Sequence, residues 1–157
     1  NLPGVCIGVT TADCVPVFFY DPNKKVIAVA HAGWRGTCAG IAAKTVEKMQ
    51  TAFKCDVNDI QVAIGPSISV ESYNVGEELI GEFEKNGFNT NEIFKRNDNG
   101  LFLDLWKANQ MKITQTGIPE TNIFISGICT FKNHDIYFSA RRLGIKSGRM
   151  YSGIYIT

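Results

Sequence analysis

The stretch VPVFFYDPNKKVIAVA, residues 15–30, is the part of the sequence that decides the fold. Its two apolar runs, 15–20 and 26–30, are rich in β-branched and aromatic residues, which are typical of strands. The Asp-Pro-Asn-Lys segment between them, residues 21–24, favours a tight turn. The stretch therefore predicts an antiparallel hairpin whose free ends lie side by side.

Further strands and helices are predicted outward from this hairpin by apolar periodicity and turn residues. The predicted strands are 6–10, 60–64, 101–103, 122–126 and 150–156. The predicted helices are about 37–53 with Thr37 as its cap, about 76–86 closed by Gly87, and 104–117 capped by Asp104. Strands and helices alternate without a strict βαβ rhythm. We therefore expect an α+β fold of layered mixed sheets flanked by helices, forming a single catalytic-type domain over residues 1–157.

Composition excludes several classes of partner. The 157 residues carry 16 Lys and Arg against 15 Asp and Glu, a formal net charge of +1. Such a balance gives no electrostatic basis for binding a nucleic acid or an anionic membrane surface. The apolar runs are far shorter than the roughly 20 residues that span a bilayer. We expect no nucleic-acid partner and no membrane partner.

The cysteines indicate a reducing compartment. The chain has five, an odd number with irregular spacing, which argues against a disulfide framework in a domain of this size. Nothing at the start resembles a signal peptide. We therefore expect a cytoplasmic protein. Because no initiator Met precedes Asn1, we also expect an N-terminal segment to be missing.

Cys14 and His31 stand at the two free ends of the predicted hairpin. A thiolate and an imidazole are both good zinc ligands, so one metal ion could bridge them. A packed cysteine beside a hydrogen-bonded histidine fits the same spacing equally well. A catalytic zinc usually has three protein ligands, and the third is not evident. The other histidine, His134, stands in a polar loop and is expected at the surface. Two histidines cannot supply the several copper ions of a multicopper oxidase.

Other segments offer candidate anion-binding and nucleophilic groups. Glycines flank Trp34-Arg35, so backbone N–H groups and Arg35 could face a phosphate, or the segment could be a simple tight turn. Arg141 and Arg142 beside Ser139 could bind a phosphate or a ribose, or form a solvated loop. Cys129 could be a nucleophile or a packed thiol.

Taken together, several short blocks resemble the multicopper polyphenol oxidoreductase (laccase-like) family, which is also called a purine nucleoside phosphorylase family. The blocks occur in the family's order over nearly the whole chain. They are TADCVPV (11–17), HAGWRGT (31–37), AIGPSIS (63–69), YNVG (73–76), FLDLW (102–106), GICT (127–130) and FSARR (138–142).

The resemblance implies a laccase-like/cysteine-hydrolase-like layered fold with one zinc ion held by two histidines and one cysteine. By motif match, Cys14 and His31 correspond to the cysteine and the second histidine. The first histidine is expected upstream of Asn1, in a protein of roughly 250 residues. The implied reactions are phosphorolysis of adenosine, inosine and methylthioadenosine, and hydrolytic deamination of adenosine, with purine nucleosides and phosphate as small-molecule partners.

Roles for individual residues follow from this implied chemistry. Zinc would activate water for attack on the adenine ring, and Arg35 or the Arg141-Arg142 pair would bind phosphate. Asp13 is a candidate for proton transfer or for orienting a ligand, or it caps a local turn. Two alternatives remain open: a cysteine hydrolase acting on amide bonds in cell-wall processing, with Cys14 or Cys129 as nucleophile, and an inactive module.

Overall fold

The chain folds into strands and helices that alternate irregularly along the sequence. The computed structural model describes residues 1–157, apart from the side chain of Ile145. The strands are β1 (Ile7–Thr11), β2 (Val15–Asp21), β3 (Val26–Ala32), β4 (Gln61–Ile64), β5 (Asn74–Val75), β6 (Phe94–Asn97), β7 (Gly100–Leu103), β8 (Ile123–Ile125) and β9 (Met150–Ile154). The helices are α1 (Trp34–Cys38), α2 (Ile41–Phe53), α3 (Glu78–Lys85), α4 (Thr90–Ile93), α5 (Leu105–Thr114) and α6 (Ala140–Leu143).

The strands pair into separate sheets. A four-stranded sheet has the order β3-β2-β4-β8, a three-stranded sheet has the order β5-β7-β6, and β1 pairs with β9. Within the four-stranded sheet β2 runs antiparallel to β3 and β4, whereas β4 and β8 run parallel. The mixed sheets with flanking helices confirm the predicted α+β fold.

The hairpin of β2 and β3 forms as the sequence predicts. The two strands pair from Val15 opposite Ala32 to Asp21 opposite Val26. At the turn, the Asp21 carboxylate accepts a hydrogen bond of 2.8 Å from the backbone N–H of Lys24. Because the register is fixed at the turn, the far ends of both strands lie next to each other.

The core lies between one face of the four-stranded sheet and the helices α2 and α5. Along β2, Val15, Val17 and Phe19 are fully buried, as expected for alternate residues that face a core. Helix α2 packs on β3 and on α5 and buries Val46 and Met49 against them. Among the helices that the structure describes, none combines the length and apolarity needed to cross a membrane.

The prediction of one helix over 37–53 is wrong, because two helices meet at a glycine. Helix α1 ends at Cys38, and α2 begins after Gly40, whose φ of 70° lies in the left-handed region that favours glycine. Thr37 is not a cap but an interior residue of α1, and its hydroxyl donates to the Ala32 carbonyl. The predicted cap of α5 is confirmed, since the Asp104 carboxylate accepts from the Lys107 N–H at 2.9 Å.

A buried thiol at the end of α2 gives the fold a predictable response to alkali. Burial and the nearby Asp21 carboxylate raise the pKa of Cys55 from about 9 to about 12. Because the pKa of Cys55 is higher in the folded than in the unfolded protein, its protonated thiol stabilises the fold fully below pH 9. That stabilisation is lost as pH rises towards 12.

We expect the free energy of unfolding of the wild type to exceed that of a Cys55→Ala variant at pH 8, and the difference to shrink by about 1 kcal/mol by pH 10. Urea unfolding of both proteins at the two pH values measures it. The other cysteines are common to both proteins, so their titration cancels. A difference that is the same at pH 8 and pH 10 would contradict the assignment.

Candidate functional site

Cys14 and His31 converge on the space in front of Gly33. Cys14 immediately precedes β2, and His31 lies opposite Pro16 in β3. A β-carbon placed on Gly33 would lie 2.9 Å from Cys14 Sγ and 4.0 Å from His31 Nε2. The thiol sulfur and the ring nitrogen are therefore both within 4 Å of one point. The structure brings together the two residues that the sequence predicts as metal ligands.

The donor chemistry of this pair suits zinc, but the pair is not a complete catalytic set. Thiolate sulfur and imidazole nitrogen are preferred zinc ligands, and a catalytic zinc usually takes three of them from the protein. Over the described part of the chain, no group of three His, Cys, Asp or Glu side chains is placed to hold a metal ion. Cys14 and His31 thus fit as two of the ligands.

The surroundings of Cys14 disfavour its thiolate in the absence of a cation. Burial raises the pKa of the Cys14 thiol, the negative charge of Asp13 raises it further, and the positive charge of Arg149 offsets part of the rise. A bound cation would reverse this balance, because a metal ion replaces the thiol proton.

Asp13 is hydrogen-bonded to three segments that are distant from it in sequence. Asp13 is buried, and its φ of 83° lies in the left-handed region. One carboxylate oxygen accepts from the Thr130 hydroxyl and the other from the backbone N–H of Arg141, both at 2.7 Å. Its backbone carbonyl accepts from the Ile68 N–H at 3.0 Å. These contacts hold the segment that carries Cys14, and a role of Asp13 in proton transfer stays a prediction.

Arg141 lies across the ring of Tyr73. The centre of its guanidinium is 5.0 Å from the ring centroid, and Nη1 donates to the Asn74 carbonyl at 2.7 Å. Tyr73 is a site residue that reasoning on single residues missed, because one tyrosine carries no spacing signal. Tyr73 could have been identified from the YNVG block, which follows the AIGPSIS block in the sequence.

The other predicted substrate-binding residues fall into exposed and buried groups. Arg35 is exposed on α1, and its guanidinium lies 4.2 Å from the ring centroid of Trp34. Arg142 is also exposed, and its guanidinium lies 5.2 Å from the ring centroid of Phe131. Ser139 is fully buried, and its hydroxyl accepts from the Arg142 N–H at the start of α6. Substrate contacts by these residues stay predictions.

Cys129 is buried and hydrogen-bonded to the segment 69–72. Its sulfur accepts from the Ser69 N–H at 3.3 Å, and its S–H donates to the Ser72 hydroxyl at 3.6 Å. Burial raises the pKa of the thiol, but the polar groups of Ser69, Lys132 and Ser72 around it lower the pKa by more, so that it lies below its ordinary value. The side chain is only 5% exposed, which limits its access to any substrate.

Further sequence blocks meet beside Cys129. Ser67 forms a parallel bridge with Cys129, and its hydroxyl accepts a 2.7 Å hydrogen bond from the indole N–H of Trp106. Ser67 of the AIGPSIS block therefore contacts both the FLDLW block and the GICT block.

Gly33 offers a direct test of the paired donors. Its φ of −69° and ψ of 174° are extended and suit any residue, so a Gly33→Ala substitution carries no backbone strain. Its new methyl group would lie 2.9 Å from Cys14 Sγ and must displace it. We expect a folded variant whose zinc affinity, measured by competition with a chelator, falls about 10- to 100-fold.

The matched control for this substitution is Gly81→Ala, since a β-carbon at Gly81 meets open space on α3. That variant should keep the zinc affinity of the wild type and gain about 0.5–1 kcal/mol in free energy of unfolding. Equal zinc affinity of the Gly33→Ala and wild-type proteins would show that Cys14 is not a ligand.

Comparison with known proteins gives consistent results. A family model described as multi-copper polyphenol oxidoreductase laccase matches residues 1–157. A purine nucleoside phosphorylase of Bacteroides thetaiotaomicron is 48% identical over 156 residues, which cover 98% of this chain and 58% of that protein. The adenosine deaminase RL5 of an unknown prokaryotic organism is 45% identical over 99% of this chain and 60% of its own length.

A solved structure matches the fold as well. The crystal structure of the hypothetical protein YfiH of Bacillus licheniformis superposes with a TM-score of 0.93 at 34% identity, over 99% of this chain and 59% of that one. The chain therefore spans about three fifths of the length of these relatives.

Proposed function

This chain belongs to the multi-copper polyphenol oxidoreductase laccase family, and from that membership we propose that it acts on purine nucleosides. The observation that carries the proposal is the convergence of Cys14 Sγ and His31 Nε2 in front of Gly33. Two relatives of high identity bear the names purine nucleoside phosphorylase and adenosine deaminase, which describe reactions at the same class of substrate. The proposed reactions are phosphorolysis of adenosine, inosine and methylthioadenosine, and deamination of adenosine.

Cys14 and His31 would hold zinc in this proposal, as two of the three protein ligands that a catalytic zinc usually has. Zinc, when bound, supplies a Lewis acid that lowers the pKa of water towards about 7. Asp13 holds the Cys14 segment in place through its hydrogen bonds to Thr130 and Arg141. The fold thus holds the Cys14 sulfur and the His31 ring nitrogen in place before a substrate binds.

Arginines supply the positive charge that phosphate needs. Burial raises the pKa of both Cys14 and Tyr73; the positive charge of Arg149 offsets part of the rise at Cys14, and the charges of Arg141 and Arg35 offset part of it at Tyr73. Arg35 is exposed, and its planar fork suits a phosphate oxyanion. We assign phosphate binding to Arg35 first, because part of the Arg141 guanidinium already binds the Asn74 carbonyl.

The test is turnover of adenosine and inosine by the purified protein, with and without inorganic phosphate, before and after metal removal. We expect free base from both nucleosides only with phosphate, inosine from adenosine without it, and loss of both activities on chelation that zinc restores. A protein that converts neither nucleoside under any of these conditions would refute the proposal. Hydrolysis of amide substrates that survives chelation and ends on cysteine alkylation would favour the cysteine hydrolase instead.

A further inference from the structure

We infer that the Tyr73 hydroxyl donates a hydrogen bond to the bound nucleoside, and that Arg141 is the residue that positions Tyr73 for this contact. The inference rests on the proposed function and names a further residue of that site. Tyr73 lies in the loop that follows the 3-10 turn Val70–Ser72 and leads into β5.

The segment around Tyr73 is held from several sides. The Tyr73 N–H donates to the Val70 carbonyl at 3.3 Å, and its own carbonyl accepts from the Leu103 N–H at 3.1 Å. The Arg141 guanidinium lies over the ring and binds the next carbonyl, that of Asn74, at 2.7 Å. An aromatic ring with a cation on one face and a fixed backbone has little freedom to turn away.

Arg141 links this ring to the metal-ligand segment. Its backbone N–H donates to the Asp13 carboxylate at 2.7 Å, directly beside Cys14, while its side chain reaches Tyr73 and Asn74. One residue therefore spans from the base of the predicted zinc site to the tyrosine.

Tyr73 lies beside the segment that carries Cys14. Its ring centroid is 5.0 Å from the guanidinium of Arg141, the residue whose backbone N–H donates to the Asp13 carboxylate, and the nearby Ile68 N–H donates to the Asp13 carbonyl at 3.0 Å. Burial raises the pKa of the phenol, and the charges of Arg141, Cys14 and Asp13 also act on it. The hydrogen bonds that described residues make with Tyr73 involve its backbone, so none of them occupies the hydroxyl. A phenol is a donor at neutral pH, and the ring nitrogens and hydroxyl groups of a nucleoside are acceptors within its chemistry.

The test compares Tyr73→Phe with the wild type in inosine phosphorolysis. The substitution removes the hydroxyl but keeps the ring beneath Arg141. We expect kcat/KM for inosine to fall about 10- to 100-fold, with zinc content and melting temperature unchanged. The matched control is Tyr155→Phe, which removes the same hydroxyl from an exposed tyrosine and should leave kcat/KM as it is. An unchanged kcat/KM in Tyr73→Phe overturns the inference.

Arg141→Lys separates positioning from phosphate binding. If Arg141 positions Tyr73, this substitution lowers kcat/KM for inosine in the wild-type background but has little further effect in Tyr73→Phe. If Arg141 instead binds phosphate, KM for phosphate rises equally in both backgrounds, and the positioning role is overturned.

The proposed function and this inference fail in different ways. A wild type that turns over neither nucleoside refutes the function, and inosine binding by calorimetry then decides the inference. Weaker binding by Tyr73→Phe than by the wild type supports the contact, while equal affinity, or no binding by either protein, overturns it.

Discussion

A Cys14→Ser variant is expected to bind zinc at least about 100-fold more weakly than the wild type and to lose nucleoside turnover to a similar extent. The exchange replaces a soft sulfur by a hydroxyl that is not ionised at neutral pH, at the position where Cys14 Sγ and His31 Nε2 converge. Metal content by elemental analysis, together with adenosine and inosine turnover, measures both effects.

The control for Cys14→Ser is Cys6→Ser, which makes the same chemical change at an exposed thiol of the amino-terminal segment. It should retain wild-type metal content and turnover. Retention of zinc by Cys14→Ser, with turnover within a few-fold of the wild type, would remove Cys14 from the metal site and leave the proposed function without its central observation.

An Asp13→Ala variant is expected to lose at least about 4 kcal/mol in free energy of unfolding. The Thr130 hydroxyl and the Arg141 N–H would each lose a buried hydrogen-bond acceptor, and such losses to a charged group cost about 1.5–3 kcal/mol apiece. Alanine would also have to adopt the left-handed φ of 83°, at a further cost of about 1 kcal/mol. Urea unfolding at pH 7 gives the value.

Two companion variants separate these causes. Asp13→Gly relieves the backbone strain but not the lost hydrogen bonds, so it should be more stable than Asp13→Ala by about 1 kcal/mol. Asp13→Asn tolerates the left-handed conformation, yet its amide cannot accept hydrogen bonds at both positions. Asp13→Asn as stable as the wild type would show that the two hydrogen bonds contribute little.

Local sequence was sufficient for most of the elements. The turn residues between Asp21 and Lys24 and the apolar runs on either side predicted the β2–β3 hairpin, and Asp104 marked the start of α5. The break at Gly40 was missed because a glycine inside a helical pattern is often tolerated. Its left-handed φ depends on the packing of α1 and α2, which no local pattern encodes.

The site was predictable where it depends on the hairpin and not where it depends on long-range contacts. Cys14 and His31 meet because the register of two adjacent strands brings them together. The contact of Arg141 with Tyr73 joins residues 68 positions apart, on segments with no common periodicity. The sequence likewise does not predict the left-handed conformation of Asp13, because aspartate adopts it only in particular surroundings.

The hydrogen bonds of the Asp13 carboxylate can form only late in synthesis of the chain. Its partners are separated from it by 117 and 128 positions. At roughly 5–20 residues per second, a ribosome needs on the order of ten seconds to add Arg141 after Asp13. Until then the loop before β2 lacks the hydrogen bond from the Arg141 N–H, although the hairpin itself can already pair. The place where Cys14 and His31 meet is therefore among the last parts of the nascent chain to become rigid.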